Sequence, residues 1–338
     1  MRKSIRVAVV ATAICASLAG FAPAASAAPP PSGPPGQLPP PSYAEALASP
    51  DWAPTPVGLA YKSCVHEVPD GAFVSEDGTV SVGGVVVEKL PACPYSGIVP
   101  VPRSPQAQAA LAQAATNGEK NHGASAGKDS QAPVPYAGGW WLDSWWTSSS
   151  QITNLIAHWT VPANPASTGA LLYLFSSVEP GSGGAIVQPV LQWGTSPLGG
   201  GNYWALATWY VVGKSVIAAS PLLKTSAGHL VTGTMSRTGS VMWTVKATDS
   251  TTGGWVGMSA NTSYTSWTAV QGGVLETYYV MWCSQLPNTT SLVFSNISVS
   301  SAAGLITPSF TAEMRNSACF GSVTATSSST TLRWTPTP

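Results

Sequence analysis

The chain has 338 residues, its 14 lysines and arginines match its 14 aspartates and glutamates, and only 8% of the residues are charged. A formal net charge of zero with so few cations excludes nucleic-acid binding through a basic patch. Fourteen tryptophans amid abundant Ser, Thr and Gly point instead to an all-β protein.

Arg2, Lys3 and Arg6 precede an apolar run from Val7 to Phe21, and Ala25-Ser26-Ala27 completes the pattern of a secretory signal over residues 1–27. No later stretch is long and apolar enough to span a bilayer, so a secreted, extracellular protein with no membrane partner is expected. The four cysteines beyond the signal, Cys64, Cys93, Cys283 and Cys319, are then read as disulfides of an oxidising setting. Three pairings are open to them, and proximity along the chain favours Cys64 with Cys93 and Cys283 with Cys319. No C-x-x-C or H-x-x-x-H spacing suggests a metal site, and no cofactor is expected.

Residues 28–60 carry Pro29-Pro30-Pro31 and Pro39-Pro40-Pro41, a composition that favours disordered polyproline II and builds no core. Over residues 61–102, short apolar runs alternate with turn signals such as Asp77-Gly78, giving a small β unit that needs its disulfide as a staple. It reads as a pro-segment or accessory module. Residues 103–135 are an Ala/Gln/Ser-rich linker, with a short helix expected at 106–115 and an exposed stretch open to processing after it.

From residue 136 to 338 the pattern changes to strands at short spacing. They are expected at Ile152–Thr160, Ala170–Ser177, Val187–Gly194, Tyr203–Val212, Gly228–Arg237, Val241–Ala247, Trp255–Met258, Val274–Trp282, Leu292–Val299, Pro308–Met314 and Thr331–Trp334. No long stretch keeps helical periodicity. About 200 residues of this kind suit one β-sandwich of two antiparallel sheets around a shared core. Nothing suggests an oligomer, and a monomer is expected.

Within that domain one carboxylate stands out. In Val274–Trp282, period-2 alternation puts Glu276 in a row with Val274, Tyr278, Val280 and Trp282, a charge among apolar and aromatic side chains. The plainer reading is a gatekeeper charge on an edge strand. Asp143, Glu179 and Asp249 sit in a tryptophan-rich run, a loop and a turn, and Glu313 in a short strand is a weaker competitor. Glu276 with Glu313 also leaves open a glycosidase pair. His158 and His229 lie in strand patterns and read as structural, and no G-x-S-x-G is present. A second polar intrusion is Gln192, in Val187–Gly194: it reads as a core amide bonded to backbone, or as an amide aimed at a developing oxyanion.

Several landmarks in order carry a family resemblance: Gly138-Gly139-Trp140, then Ala157–Pro162, Pro189–Gly194, Tyr203–Tyr210 and the strand of Glu276. In their combination the segment 136–338 resembles the eqolisins, the glutamic peptidases. The resemblance implies a β-sandwich of two curved sheets, of the concanavalin A-like lectin/glucanase type, with a Gln and a Glu on one concave face. Gln192 and Glu276 take those positions. Glu276 would be the general base on a water that attacks a peptide carbonyl, and Gln192 would orient that water and hold the oxyanion. The substrate is a polypeptide, with Trp140, Trp193, Tyr203, Trp209 and Tyr278 as expected contacts. Family members carry acidic residues where this chain has Thr195-Ser196 and Thr208, a loss of negative charge expected to lower the pKa of Glu276. They are also made with pro-segments, which residues 28–135 would supply. The competing reading is a non-catalytic module that binds carbohydrate or peptide on a face lined by Trp193, Trp204, Trp209, Trp267 and Trp282.

Overall fold

The computed structural model describes residues 37–95, 97–100, 138–212 and 216–336. The signal over 1–27 and the linker over 103–135 lie outside the described residues.

Ser42 opens the short helix α1 (Tyr43–Ala48) with a capping box: Glu45 N donates to Ser42 Oγ at 3.3 Å, and Ser42 N donates to Glu45 Oε2 at 2.8 Å. A hairpin of β1 (Trp52–Thr55) and β2 (Gly58–Tyr61) follows, buried along most of its length. Over the described part of residues 28–60, which begins at 37, the structure overturns the expectation of a coreless segment. Trp52, Leu59 and Ala60 are buried, and the Trp52 ring packs edge-on at 5.7 Å from Tyr61 and 5.0 Å from Tyr95. Proline content alone did not reveal that these apolar side chains have a surface to dock on.

Four further N-terminal strands are β3 (Val65–Glu67), β4 (Ala72–Val74), β5 (Thr79–Val82) and β6 (Val85–Lys89). After the linker come β7 (Gly139–Thr147), β8 (Ile152–Thr160), β9 (Leu171–Pro180), β10 (Ala185–Ser196), β11 (Gly199–Val212), β12 (Val216–Ala219) and β13 (Leu223–Lys224). Then follow β14 (Leu230–Thr238), β15 (Met242–Asp249), β16 (Trp255–Asn261), β17 (Trp267–Tyr278), β18 (Ser291–Ser301) and β19 (Gly304–Ile306). The last are β20 (Thr311–Met314), β21 (Ser322–Ala325) and β22 (Thr330–Arg333).

These strands make the sandwich that the sequence predicts. The first sheet runs β20-β7-β17-β9-β10-β11-β12-β3, with β13 also on β11; the second runs β21-β22-β18-β8-β14-β15-β16-β4-β5-β6, with β19 on β18. Pairing is antiparallel except where the N-terminal region joins: β3 lies parallel to β12, and β4 parallel to β16. Residues 61–95 are therefore not a separate unit beside the sandwich, since their strands extend both of its sheets. The disulfides pair Cys64 with Cys93 and Cys283 with Cys319. Among the described residues no helix is long and apolar enough to cross a membrane.

Burial follows from the patterning. In β15 buried and half-buried residues alternate strictly, as in a strand with one face in the core and one toward water. By contrast β9, β10 and β17 are buried at almost every position, which requires cover on both faces. The second sheet covers the inner one, and Gly273 marks how closely: a Cβ there would overlap the Phe294 ring of β18. The N-terminal hairpin covers the outer one. In mid-strand, Pro189 has no N–H to give, and the β10–β9 ladder accordingly skips Gln188 and Pro189, between Val187↔Val178 and Val190↔Phe175.

Candidate active site

Strand β9 lies between β10 and β17, and one of its residues fixes the geometry. Tyr173 is the register partner of Gln192 on one side and of Glu276 on the other. Residues directly opposite in antiparallel strands point to the same face, so Gln192, Tyr173 and Glu276 form one row on the outer face. At about 4.8 Å per strand, the Gln192 and Glu276 backbones are roughly 10 Å apart, with Tyr173 between them. The two residues singled out in the sequence thus share a face.

Glu276 is fully buried. Its Oε1 lies 2.6 Å from the Tyr278 hydroxyl, and its Oε2 is buried without a hydrogen-bond partner among the described residues. Burial pushes the carboxyl up from its ordinary 4.5 to about 8, against the Tyr278 and Trp140 side chains, whose polar groups favour the charged form. The lowering expected from the missing acidic neighbours is therefore reversed, because desolvation outweighs it. Burial, reinforced by the charge of Glu276, also raises the hydroxyls of Tyr173 and Tyr278 well above their ordinary value, so both remain protonated donors.

Gln192 is held differently from the expectation. Its Nε2 donates to Gly194 O at 2.9 Å and to Gly199 O at 3.0 Å, while Oε1 is buried and unpartnered among the described residues. Both amide protons serve the β10–β11 turn, so the amide presents an acceptor and has no proton to spare for an oxyanion. Gly200, at φ +113°, permits this arrangement: a Cβ there would lie 2.5 Å from Gln192 Nε2. Ser196 Oγ donates to the same Gly199 carbonyl at 3.2 Å.

The other predicted contacts divide between the faces. Trp140 pairs with Glu276 and sits 6.0 Å from the Phe175 ring; Trp209 pairs with Gln188 and lies 6.4 Å from Tyr173; both belong to the outer face, as does Tyr278. Tyr203 is half-buried, with Lys224 Nζ 4.2 Å from its ring centroid. Trp193, expected to contact substrate, lies on the other face. It is one residue out of phase with Gln192, faces the second sheet and stacks on Trp204 at 5.3 Å. Thr208 also faces inward, sharing its phase with Tyr210, whose hydroxyl donates to Asn261 O of β16. The five tryptophans of the alternative platform do not share one face: Trp193 and Trp204 are buried toward the second sheet, Trp267 packs on Trp243 at 5.2 Å, Trp209 is buried on the outer face, and Trp282 is half-buried.

The remaining carboxylates have structural partners. Asp143 is fully buried and accepts from Arg315 Nε at 2.7 Å and Nη2 at 3.1 Å, and Glu313 accepts from the same guanidinium at 2.8 Å. Glu313 is thereby tied to a cation and is no partner for Glu276. Asp249 accepts from Thr225 Oγ1 at 2.7 Å and pairs with His229 Nδ1 at 2.7 Å, anchoring a turn. Arg315→Met would remove the cation that compensates buried Asp143, and a loss of about 3 to 5 kcal/mol is expected in urea denaturation.

Over the row lies the N-terminal hairpin. Tyr173 Oη donates to Pro54 O, Tyr278 Oη to Thr55 O, and Gln188 Nε2 to Pro56 O, each at 3.1 Å. Sequence reading missed Tyr173 and Gln188. Gln188 had a signal, since it stands in phase with Gln192 four residues earlier in the same apolar strand; Tyr173 had only its hydroxyl in the run Leu171–Phe175.

Among solved structures the chain is similar to Scytalido-glutamic peptidase with a peptide based transition state analog, at 13% identity and TM-score 0.44 over 58% of this chain and 98% of that one. It is similar to SCP-B, a member of the eqolisin family of peptidases in a complex with the tripeptide Ala-Ile-His, at 14% identity and TM-score 0.42 over 58% and 98%. It is also similar to aspergilloglutamic peptidase from Aspergillus niger, at 13% identity and TM-score 0.36 over 48% and 98%. These neighbours carry the family name that the sequence resembles. No protein-family model matches the chain, and no curated protein matches it.

Proposed function

We propose that this chain is a secreted glutamic endopeptidase held shut by its own N-terminal region, a pro-segment. The observation that supports this most is the row Gln192–Tyr173–Glu276 lying under an extended peptide, residues 53–56, whose carbonyls are already gripped by side chains of that face. Once the hairpin leaves, water reaches Glu276 and its pKa falls from the buried value of about 8 toward the ordinary 4.5.

Glu276 then takes a proton from a water as that water attacks the peptide carbonyl, and returns it to the leaving amine as the C–N bond breaks. Gln192 positions the water through Oε1, the atom its turn leaves free to accept. The test is hydrolysis of denatured casein between pH 2 and 7 by the intact chain, by the chain severed between residues 101 and 137, and by severed Glu276→Gln. Cleavage by the severed wild type alone supports the reading. No cleavage by any of the three would move the assignment to a peptide-binding sandwich.

A further inference from the structure

We propose that Tyr173, Tyr278 and Gln188 form a grip for three successive main-chain carbonyls, and that the groove they line takes extended peptides containing proline. This rests on the peptidase reading and names its substrate class. The three donors come from β9, β17 and β10, are all fully buried, and meet the carbonyls of Pro54, Thr55 and Pro56 in sequence order. A peptide bound by strand addition must offer N–H groups as well as carbonyls, and proline cannot. Here the face supplies every donor from side chains and the peptide supplies acceptors, so proline costs nothing. The occupant has proline at two of its three gripped positions, and both prolines are buried.

The grip also assigns the reacting bond. Tyr173 stands between Gln192 and Glu276, so the carbonyl it holds is the one over the dyad. With both Gln192 amide protons committed to Gly194 and Gly199, the Tyr173 hydroxyl is the donor for the oxyanion. Water adds to that carbonyl carbon, its proton passes to Glu276 and then to the departing nitrogen, and the bond cleaved follows the residue held by Tyr173. In the intact chain Glu276 is sealed from solvent beneath the hairpin.

Hydrogen exchange over residues 52–61 of the intact chain reads the grip without catalysis. Tyr173→Phe, Tyr278→Phe and Gln188→Leu are each expected to speed it about five- to tenfold, the effect of one lost hydrogen bond. In the chain severed between residues 101 and 137, with both pieces present, a fluorescent Ala-Pro-Thr-Pro peptide is followed by anisotropy. It is expected to bind at least about fivefold tighter than Ala-Ala-Thr-Ala, because proline loses less freedom on binding, and to weaken in each variant. Unchanged exchange in all three variants, or equal binding of the two peptides, overturns the proposal. Binding that follows these rules in a protein that cleaves no casein removes the peptidase reading and leaves the grip standing. Casein cleavage without preference between the peptides does the reverse.

Discussion

Glu276→Gln is expected to abolish casein hydrolysis by the severed chain and, in the intact chain, to flatten a fall of stability with rising pH. The first effect is the loss of a general base, roughly 10²- to 10⁴-fold in kcat. The second follows from burial. In the fold Glu276 titrates near 8, whereas in the unfolded chain it titrates near 4.5. Between those values the native state holds a proton that the unfolded state has lost, so stability is full below 4.5 and declines as pH climbs toward 8. The slope is about 1.4 kcal/mol per pH unit.

The other titratable groups around Glu276, Tyr173 and Tyr278 with Tyr43 near the latter, are hydroxyls, and the first two stay protonated throughout this window. Comparing urea stability of wild type and variant from pH 4 to 8 isolates the carboxyl, and parallel curves would refute its burial in a neutral state. A proton count gives the structural link. The Tyr278 hydroxyl has one proton and two neighbouring acceptors, Glu276 Oε1 at 2.6 Å and Thr55 O at 3.1 Å. A protonated Glu276 can donate to the Tyr278 oxygen and leave the tyrosine proton for Thr55. An ionised one claims that proton, and the hairpin loses a grip.

Severing the chain between residues 101 and 137 is expected to switch activity on, and dilution to complete the switch. Neither disulfide joins the N-terminal region to the remainder: Cys64–Cys93 closes within the first and Cys283–Cys319 within the second. A covalently joined segment acts as if present at roughly millimolar concentration, so cutting it and diluting to micromolar protein lowers its local concentration about a thousandfold. Casein turnover per molecule should rise by up to about that factor on dilution and fall again on concentration. Activity that is the same in intact and severed protein would mean that the hairpin does not gate the site.

Much of this arrangement was legible from patterning, and the exceptions have physical causes. Ile152–Thr160 was bounded correctly because its alternation is clean and its ends are marked. The strand of Glu276 was displaced, expected at 274–282 and found at Trp267–Tyr278. Gln271-Gly272-Gly273 looks like a turn but is an irregularity inside one continuous strand, and the strand stops where Tyr279 takes φ +60°. Strand β7 went unassigned, since Trp140, Trp141, Trp145 and Trp146 around a buried aspartate give no period until Arg315 is known to meet it. Gln192 and Glu276 could be singled out because an amide and a carboxylate in apolar strands are conspicuous. That Trp193 faces away from Gln192 follows from period 2 alone, and the tryptophan reading overrode it. What no pattern could supply is the partner of the outer face, which lies more than a hundred residues away along the chain.

The parallel pairings of β3 with β12 and of β4 with β16 also cover one end of each sheet. When the N-terminal region departs, Val216–Ala219 and Trp255–Asn261 become outermost strands, with unpaired backbone groups flanked by Val216, Ile217, Val256 and Met258, all buried until then. Bare strands of that kind recruit other chains. On the proposed reading the N-terminal region is therefore also expected to guard against self-association, and its release to start a clock on how long the freed sandwich stays dispersed.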